Sequence, residues 1–338
     1  MSVVAIDTRP ESTRDRVRYV ARALFGGAGS VKRPVIFLLL TVVISSLLSS
    51  SFFTVSNAKS LLISSSFLVV ITVGEAFVIM TGMIDLGVES VLAASGMLAA
   101  FFTIYQRMPA IPAVLLTLVI GVLIGVVVGL LVTKGRIPSF IVTLGSYWGF
   151  EGVALLVNNG SYISPYSFTP PRPLGFGGIA GTMFGLPILI VVSFGIVILG
   201  QLLISLTPLG TWIKSVGSNE VSARVVGLNT GRLKILVFAI SGLLAAFAGV
   251  MMTAWAKSIY PNSGTGLSLE AIAAVILGGI PFVGGRGTIV GAAIGAIVIG
   301  IVNDLIVLLG LPALWEYIFV ALVLVIAGLQ ARGGVDVK

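Results

Sequence analysis

The sequence predicts an all-α membrane protein in which about ten helices cross the bilayer. Of its 338 residues, 57% are hydrophobic and only 9% are charged, and the mean hydropathy is +1.15. A soluble domain carries about 25% charged residues, so this composition excludes a soluble globular enzyme. A spanning helix needs roughly 20 apolar residues, and the chain is long enough for ten such helices joined by short loops.

Ten apolar stretches carry this prediction. Backbone groups in lipid must be hydrogen-bonded within their own segment, so each stretch is expected to be helical. The second stretch ends in Gly82, and the eighth is too short to cross alone and ends in Gly278, Gly279 and Pro281. We therefore expect short or broken helices at both places. The predicted spans are 35–51, 61–81, 87–104, 111–133, 138–157, 187–207, 235–256, 269–281, 288–309 and 313–330.

The distribution of basic residues predicts that both termini lie in the cytoplasm. Lys and Arg are enriched in the cytoplasmic loops of membrane proteins. With the N terminus inside and ten crossings, sixteen of the 20 Lys and Arg residues fall on the cytoplasmic side. An odd number of crossings would distribute these Lys and Arg residues over both sides of the membrane. The net charge of +8 is therefore interpreted as a signal of topology, and no nucleic acid is expected as a partner.

This interpretation divides the chain into three parts. A basic cytoplasmic segment (1–33) precedes a single transmembrane domain (34–331), and a short cytoplasmic tail (332–338) follows. The domain contains an external loop (158–186) that is rich in Gly and Pro. This loop is expected either to form an irregular cap over the outer mouth or to be a plain connector.

The largest cytoplasmic loop (208–234) is expected to contain one short helix in its middle. Ser218 or Asn219 can cap the start of this helix, Glu220 is favourable in its first turn, and Gly227 ends it. The loop either fixes topology through its positive charge or transmits movement from a cytoplasmic partner into the spans.

Several kinds of chemistry are excluded by what the sequence lacks. There is no Cys and no His, so we expect no disulfide, no Cys/His zinc site, no thiol nucleophile and no imidazole base. The phosphate-cradling pattern G-x-x-x-x-G-K-[ST] is absent, and the Gly-rich run 284–287 lacks the Lys and the hydroxyl. The chain is therefore not expected to be an enzyme or to bind a cofactor or a metal itself.

Ionisable residues inside predicted spans are candidates for function, because burying them in the membrane is costly. Glu75 and Glu151 are predicted to line a translocation path, together with Thr72, Thr143 and Ser146, whose hydroxyl groups could bind a passing polar solute. The alternative for each carboxylate is a partner on another helix within a packed core.

The segment 217–228 (GSNEVSARVVGL) resembles the cytoplasmic coupling segment of ribose-type permeases, the membrane subunits of bacterial ABC importers for simple sugars. The likeness covers roughly residues 35–330, in order. It is carried further by FFT (52–54), TGMIDL (81–86), IPSFIVTLG (137–145), SGLLAAFAGVMMTAW (241–255), GTG (264–266), LEAIAA (269–274), GG (278–279) and GGRG (284–287).

This resemblance implies the type II importer architecture in the bacterial inner membrane. Two copies of the permease, or two related permeases, would line a path for a monosaccharide or a similar small polar solute. Separate cytoplasmic ATPase subunits, which bind ATP and Mg, would drive alternating access, and an external solute-binding protein would deliver the cargo. The implied ATPase-coupling residues are Gly217, Ser218, Asn219, Glu220, Ala223, Arg224 and Gly227. The implied structural motif residues are Gly82, Asp85, Glu270, Gly278, Gly279, Gly285 and Arg286.

Four acidic residues depart from the pattern of the family. Glu75, Glu89, Glu151 and Asp304 stand where these permeases usually have other residues, so their roles and the identity of the cargo stay open at this point. An alternative function is a stand-alone secondary transporter that uses Glu75 and Glu151 for ion coupling. That alternative leaves the 217–228 segment without a role. The sequence does not decide whether the dimer has identical chains.

Overall fold

The computed structural model describes residues 31–164, 180–183 and 185–332, of which 326–332 are described by their backbone alone. Most of the predicted N-terminal segment, the middle of the external loop and residues 333–338 lie outside the described residues. The helices are α1 (Lys32–Leu48), α2 (Val55–Met80), α3 (Val88–Ile104), α4 (Ala110–Thr133), α5 (Ser139–Val157), α6 (Ile188–Leu206), α7 (Pro208–Ser218), α8 (Glu220–Val225), α9 (Thr230–Ala256), α10 (Leu267–Leu277), α11 (Ile289–Leu308) and α12 (Trp315–Arg332).

Each of the ten predicted spans coincides with a helix. Six helices in the described part of the chain are long and apolar enough to cross a membrane, namely α2, α4, α5, α6, α9 and α11. The all-helical membrane class is therefore confirmed. The crossing count of ten and the cytoplasmic termini stay predictions, because α3 and α10 have only 17 and 11 residues.

Helices α2 and α9 form the centre of the bundle. Helix α2 begins at Val55, six residues before the predicted start, because the Thr54 hydroxyl accepts a hydrogen bond from the N–H of Asn57 at 3.2 Å and caps the helix. Every residue from Ser65 to Met80 is buried. Helix α9 packs against α2, α3 and α4. A helix that is apolar on all sides is typical of such a protein-enclosed position.

Small residues allow α4 and α9 to approach at backbone distance. A Cβ atom on Gly125 would collide with the carbonyl group of Phe238, and one on Gly242 would collide with the carbonyl oxygen of Gly121. Lipid offers no hydrophobic drive for helix association, so close packing of this kind holds membrane helices together.

The break between α10 and α11 is closed by side chains and glycines of this chain. The side-chain amide oxygen (Oε1) of Gln201 accepts hydrogen bonds from the N–H groups of Ile289 (2.9 Å) and Val290 (3.2 Å) at the start of α11. Gly278, at the end of α10, packs on Gly291. This agrees with the short element that the sequence predicts over 269–281.

The described ends of the 158–186 loop contain two short regular elements, and the prediction of an irregular cap stays untested. Strands β1 (Thr182–Met183) and β2 (Leu186–Pro187) form a two-residue antiparallel ribbon. Ile163 exchanges two backbone hydrogen bonds of 2.9 Å with Ile259, after the end of α9. The start of the loop is thus attached to one of the two central helices.

Candidate functional site

The cytoplasmic-loop prediction of a single helix is wrong, because residues 208–225 form two helices. Helices α7 and α8 are separated only by Asn219. The signal for the start of α7 is Pro208 in its first turn. The signal for its inner face is the spacing of Ile213 and Val216, which lie three residues apart and are buried, whereas Trp212 is exposed. Positive charge in the surrounding loop obscured this short amphipathic pattern.

The start and end of α8 follow from two residues. Between the two predicted caps, Asn219 is the one used: its side-chain oxygen accepts the N–H of Ser222 at 2.9 Å. At the other end, Gly227 has φ of +88°, a conformation that Gly adopts without strain. The N–H of Leu228 then donates to the carbonyl of Ala223 at 3.0 Å, which closes the helix terminus.

Glu220 attaches α8 to the central helix α9. Its two carboxylate oxygens bind Arg224 Nη2 at 2.6 Å and Lys234 Nζ at 2.8 Å, and Arg224 Nε donates to the Thr230 hydroxyl at 2.9 Å. Partial burial alone would raise the pKa of Glu220, but the hydrogen bonds from Lys234 and Arg224 outweigh it and lower the pKa. Sequence reasoning missed Lys234, since fourteen residues and a turn separate it from Glu220.

The outer face of α8 is an exposed apolar surface. Val221, Val225 and Val226 are 73%, 81% and 76% exposed, whereas Ala223 faces inward and is buried. We call these three residues the valine surface. Exposed apolar residues that are grouped on one rigid element are typical of a protein-binding site.

The end of α7 contacts the end of α2 and the α10–α11 break at one point. The N–H of Gly285 donates to the carbonyl oxygen of Met80 at 2.9 Å, and the Ser218 hydroxyl donates to the Gly285 carbonyl at 3.4 Å. A Cβ on Gly217 would collide with both the Met80 oxygen and the Gly285 nitrogen. Gly285 has φ of +77°, whereas Arg286 beside it is exposed. We call this contact the backbone junction.

Two of the predicted path residues, Thr72 and Glu75, lie in the closed core on α2, where neither has exposed surface. Glu75 lies one and a half turns from the end of α2. Its Oε1 accepts the N–H of Asp85 at 3.1 Å, and Asp85 in turn accepts from the Ser241 hydroxyl at 2.9 Å. Among the described residues, Glu75 Oε2 and the Thr72 hydroxyl have no hydrogen-bond partner.

The other three predicted path residues lie on α5. Thr143 is buried and its hydroxyl donates to the Ile84 carbonyl at 3.4 Å, whereas Ser146 and Glu151 are half-buried. The Ser146 hydroxyl adjoins Gly87, in the loop that follows Asp85. Ser146 Oγ and Glu151 Oε2 are buried atoms with no partner within the described ranges. The structure thus brings Thr143 and Ser146 to the 81–87 loop, which includes Gly82, but it joins neither to Glu151.

Three further acidic residues have partners on other helices. Glu89 accepts the N–H of Ser268 at 2.9 Å, so the first turns of α3 and α10 meet. Glu270 accepts from the Asn303 amide at 3.3 Å. Asp304 accepts from the Asn57 amide at 2.8 Å. These contacts join elements far apart in sequence, which is why no local pattern identified the partners. Gly279, of the predicted motif, has φ of +89° just after α10.

Comparison with known proteins identifies relatives along most of the chain. Residues 57–328 match the family model described as the permease component of the branched-chain amino acid transport system. The ribose import permease protein RbsC of Escherichia coli K12 is 39% identical over 275 residues, which cover 81% of this chain and 85% of that protein. RbsC of Bacillus subtilis is 35% identical over 262 residues (78% and 80%).

A more distant relative is the xylose transport system permease protein XylH of Haemophilus influenzae, which is 27% identical over 327 residues (80% of this chain and 87% of that protein). No solved structure matches the chain.

The Glu220 ion pairs predict a pH dependence of stability. The folded pKa of Glu220 is lower than its ordinary value near 4.5, so its stabilising effect is present above that value and is lost as pH falls through the folded pKa. We expect wild type to unfold at a higher temperature than Glu220→Gln at pH 7 and the difference to shrink below about pH 4.5. Thermal unfolding in detergent measures this, and a difference independent of pH would contradict it.

Proposed function

The chain belongs to the family of branched-chain amino acid transport system permease components, and from this premise we propose that it is the permease subunit of an ABC importer for a monosaccharide or similar small polar solute. Cytoplasmic ATPase subunits bind and hydrolyse ATP with Mg, and this chain forms the path that their movement opens and closes. The relatives are permease subunits rather than enzymes.

The observation that carries the proposal is the α7–α8 segment. A subunit without a nucleotide-binding motif needs a rigid surface on which a separate ATPase subunit can act. Helix α8 offers the valine surface to a partner, while Glu220 holds α8 on α9 and Gly217 holds α7 on the backbone junction. Because α2 and α9 are the central helices, movement of this segment reaches the core directly.

The proposed topology places this segment inside the cell. The protein is a multi-pass protein of the bacterial inner membrane, with ten crossings, both termini in the cytoplasm, and the 158–186 loop outside. The transmembrane domain spans 34–331, between the N-terminal segment 1–33 and the tail 332–338. An external solute-binding protein delivers cargo to the outer mouth, and a second permease, identical or related, completes the path.

The proposed cargo follows from the relatives, which are named for import of ribose and transport of xylose. Both are five-carbon sugars, so a pentose or a similar polyhydroxylated solute is the class to test first. The proposed path residues are Thr72, Glu75, Thr143, Ser146 and Glu151, all of which carry oxygen atoms that can hydrogen-bond hydroxyl groups. Four of the five, all but Thr143, have an atom without a partner in the described part of the chain, which supports a role in binding a transient solute.

The alternative of a stand-alone ion-coupled transporter has less support. It would use Glu75 and Glu151, which lie on different helices, α2 and α5. It also gives no role to the valine surface. Transport by the purified subunit without an ATPase would favour this alternative.

Reconstitution tests the proposed function. In proteoliposomes, uptake is expected to require an added ATPase subunit and ATP. Val225→Asp places a charge in the proposed interface and should weaken ATPase binding by roughly thirtyfold, the effect of a 2 kcal/mol hot spot. The matched control is Val55→Asp, since Val55 is 87% exposed but lies at the far end of α2. Equal binding by the two variants, or uptake without ATPase, would contradict the proposal.

The proposed path is tested by neutralising its carboxylates. Glu75→Gln or Glu151→Gln should change the rate of solute uptake by about tenfold, since each alters a buried hydrogen-bonding group by roughly 1–2 kcal/mol. ATPase binding should be unchanged, which separates an effect on the path from a loss of fold. Unchanged uptake rate and affinity in both variants would remove these side chains from the path.

A further inference from the structure

A charged cleft of about 350 Å³ lies between the end of α4, the loop before α5 and the α8–α9 corner. Arg136, Arg224 and Lys234 line it together with a single acidic residue, Glu220. The lowered pKa of Glu220 keeps its carboxylate ionised at neutral pH, so the cleft has an excess of two positive charges. The three residues of the valine surface do not line the cleft, whereas Glu220 and Arg224 of the proposed coupling segment do.

Arg136 is the cation of this cleft that has no partner. Arg224 and Lys234 both bind Glu220, whereas Arg136 makes no ion pair or side-chain hydrogen bond with any residue that the structure describes. The first turn of α9 contributes Gly231 to the wall, and because the Asn229 side-chain oxygen already accepts the N–H of Arg232 at 3.0 Å, this turn adds only the positive end of its helix dipole. A free guanidinium beside two further cations that share a single carboxylate is suited to a phosphate group.

An apolar stripe leads to the rim of the cleft. Leu123, Val127 and Leu131 recur every four residues along α4 and are 56%, 54% and 45% exposed. The next residue, Val132, lines the cleft. On a membrane helix such a stripe contacts acyl chains, so a lipid beside it could place its headgroup at Arg136. Free inorganic phosphate has no apolar part that could contact such a stripe.

We propose that this cleft binds a phosphate group, and that an anionic phospholipid of the cytoplasmic leaflet supplies it. The bound headgroup bridges the α4–α5 loop and the α8–α9 corner, and so stabilises the position of the coupling segment. The inference uses the proposed cytoplasmic location of these loops but depends on neither the cargo nor the ATPase, so it can fail while the proposed function holds.

Lipid titration of the full chain, purified in neutral detergent, tests the proposal by native mass spectrometry. Phosphatidylglycerol should bind more tightly than phosphatidylcholine. Arg136→Gln should weaken phosphatidylglycerol binding about fivefold, the effect of removing one basic residue. Lys134→Gln is the matched control, since Lys134 is an exposed cation of the same loop that does not line the cleft. Glu220→Gln removes the one negative charge and should tighten binding.

Four results would overturn the proposal. Equal losses in Arg136→Gln and Lys134→Gln would indicate diffuse attraction to the loop. Equal affinity for phosphatidylcholine would exclude recognition of net negative charge. Inorganic phosphate that displaces phosphatidylglycerol at comparable concentration would contradict a lipid source. Release of the lipid when the ATPase binds would assign the cleft to that protein interface.

Discussion

The backbone hydrogen bond from the N–H of Gly285 to the carbonyl oxygen of Met80 joins two interruptions of the helical bundle. Met80 ends the buried helix α2, and Gly285 lies in the break between α10 and α11. Helices can be broken at membrane depth only where protein satisfies the freed backbone groups. Gly217 packs against both groups without a side chain. Helix α7 therefore cannot shift alone without disturbing the ends of three core elements.

This constraint limits how the α7–α8 segment can move. The Glu220–Lys234 ion pair and the Arg224–Thr230 hydrogen bond fix α8 to the first turns of α9, and the backbone junction fixes α7 to α2. Neither contact is strong by itself, since exposed ion pairs contribute at most about 1 kcal/mol each. Their effect is geometric. The segment α7–α8 is attached at two separate points, one on each central helix, so it cannot rotate about either attachment. A partner bound to the valine surface would thus act on both central helices together.

Hydropathy predicted the positions of the ten apolar helices because the membrane imposes a simple rule on each span. Helix ends set by local chemistry, such as the Asn219 cap and the Gly227 terminus, were also predictable. Helix α7 was missed because its apolar face is short and surrounded by basic residues. The site was predicted as separate residues but not as an assembly. Contacts between residues far apart in sequence, such as Glu220 with Lys234, produce no periodic pattern from which they could be predicted.

A distance measurement across the backbone junction tests the central claim most directly. The chain has no cysteine, so Ser222→Cys on α8, outside the valine surface, and Val283→Cys, both at exposed positions, provide one pair of spin-label sites in each permease copy. Pulsed electron resonance on the assembled importer should give the same distance between the two labels with and without trapped ATP. This would show that α8 and the α10–α11 break move as one body. A distance that changes with the nucleotide state, while uptake continues, would contradict the account.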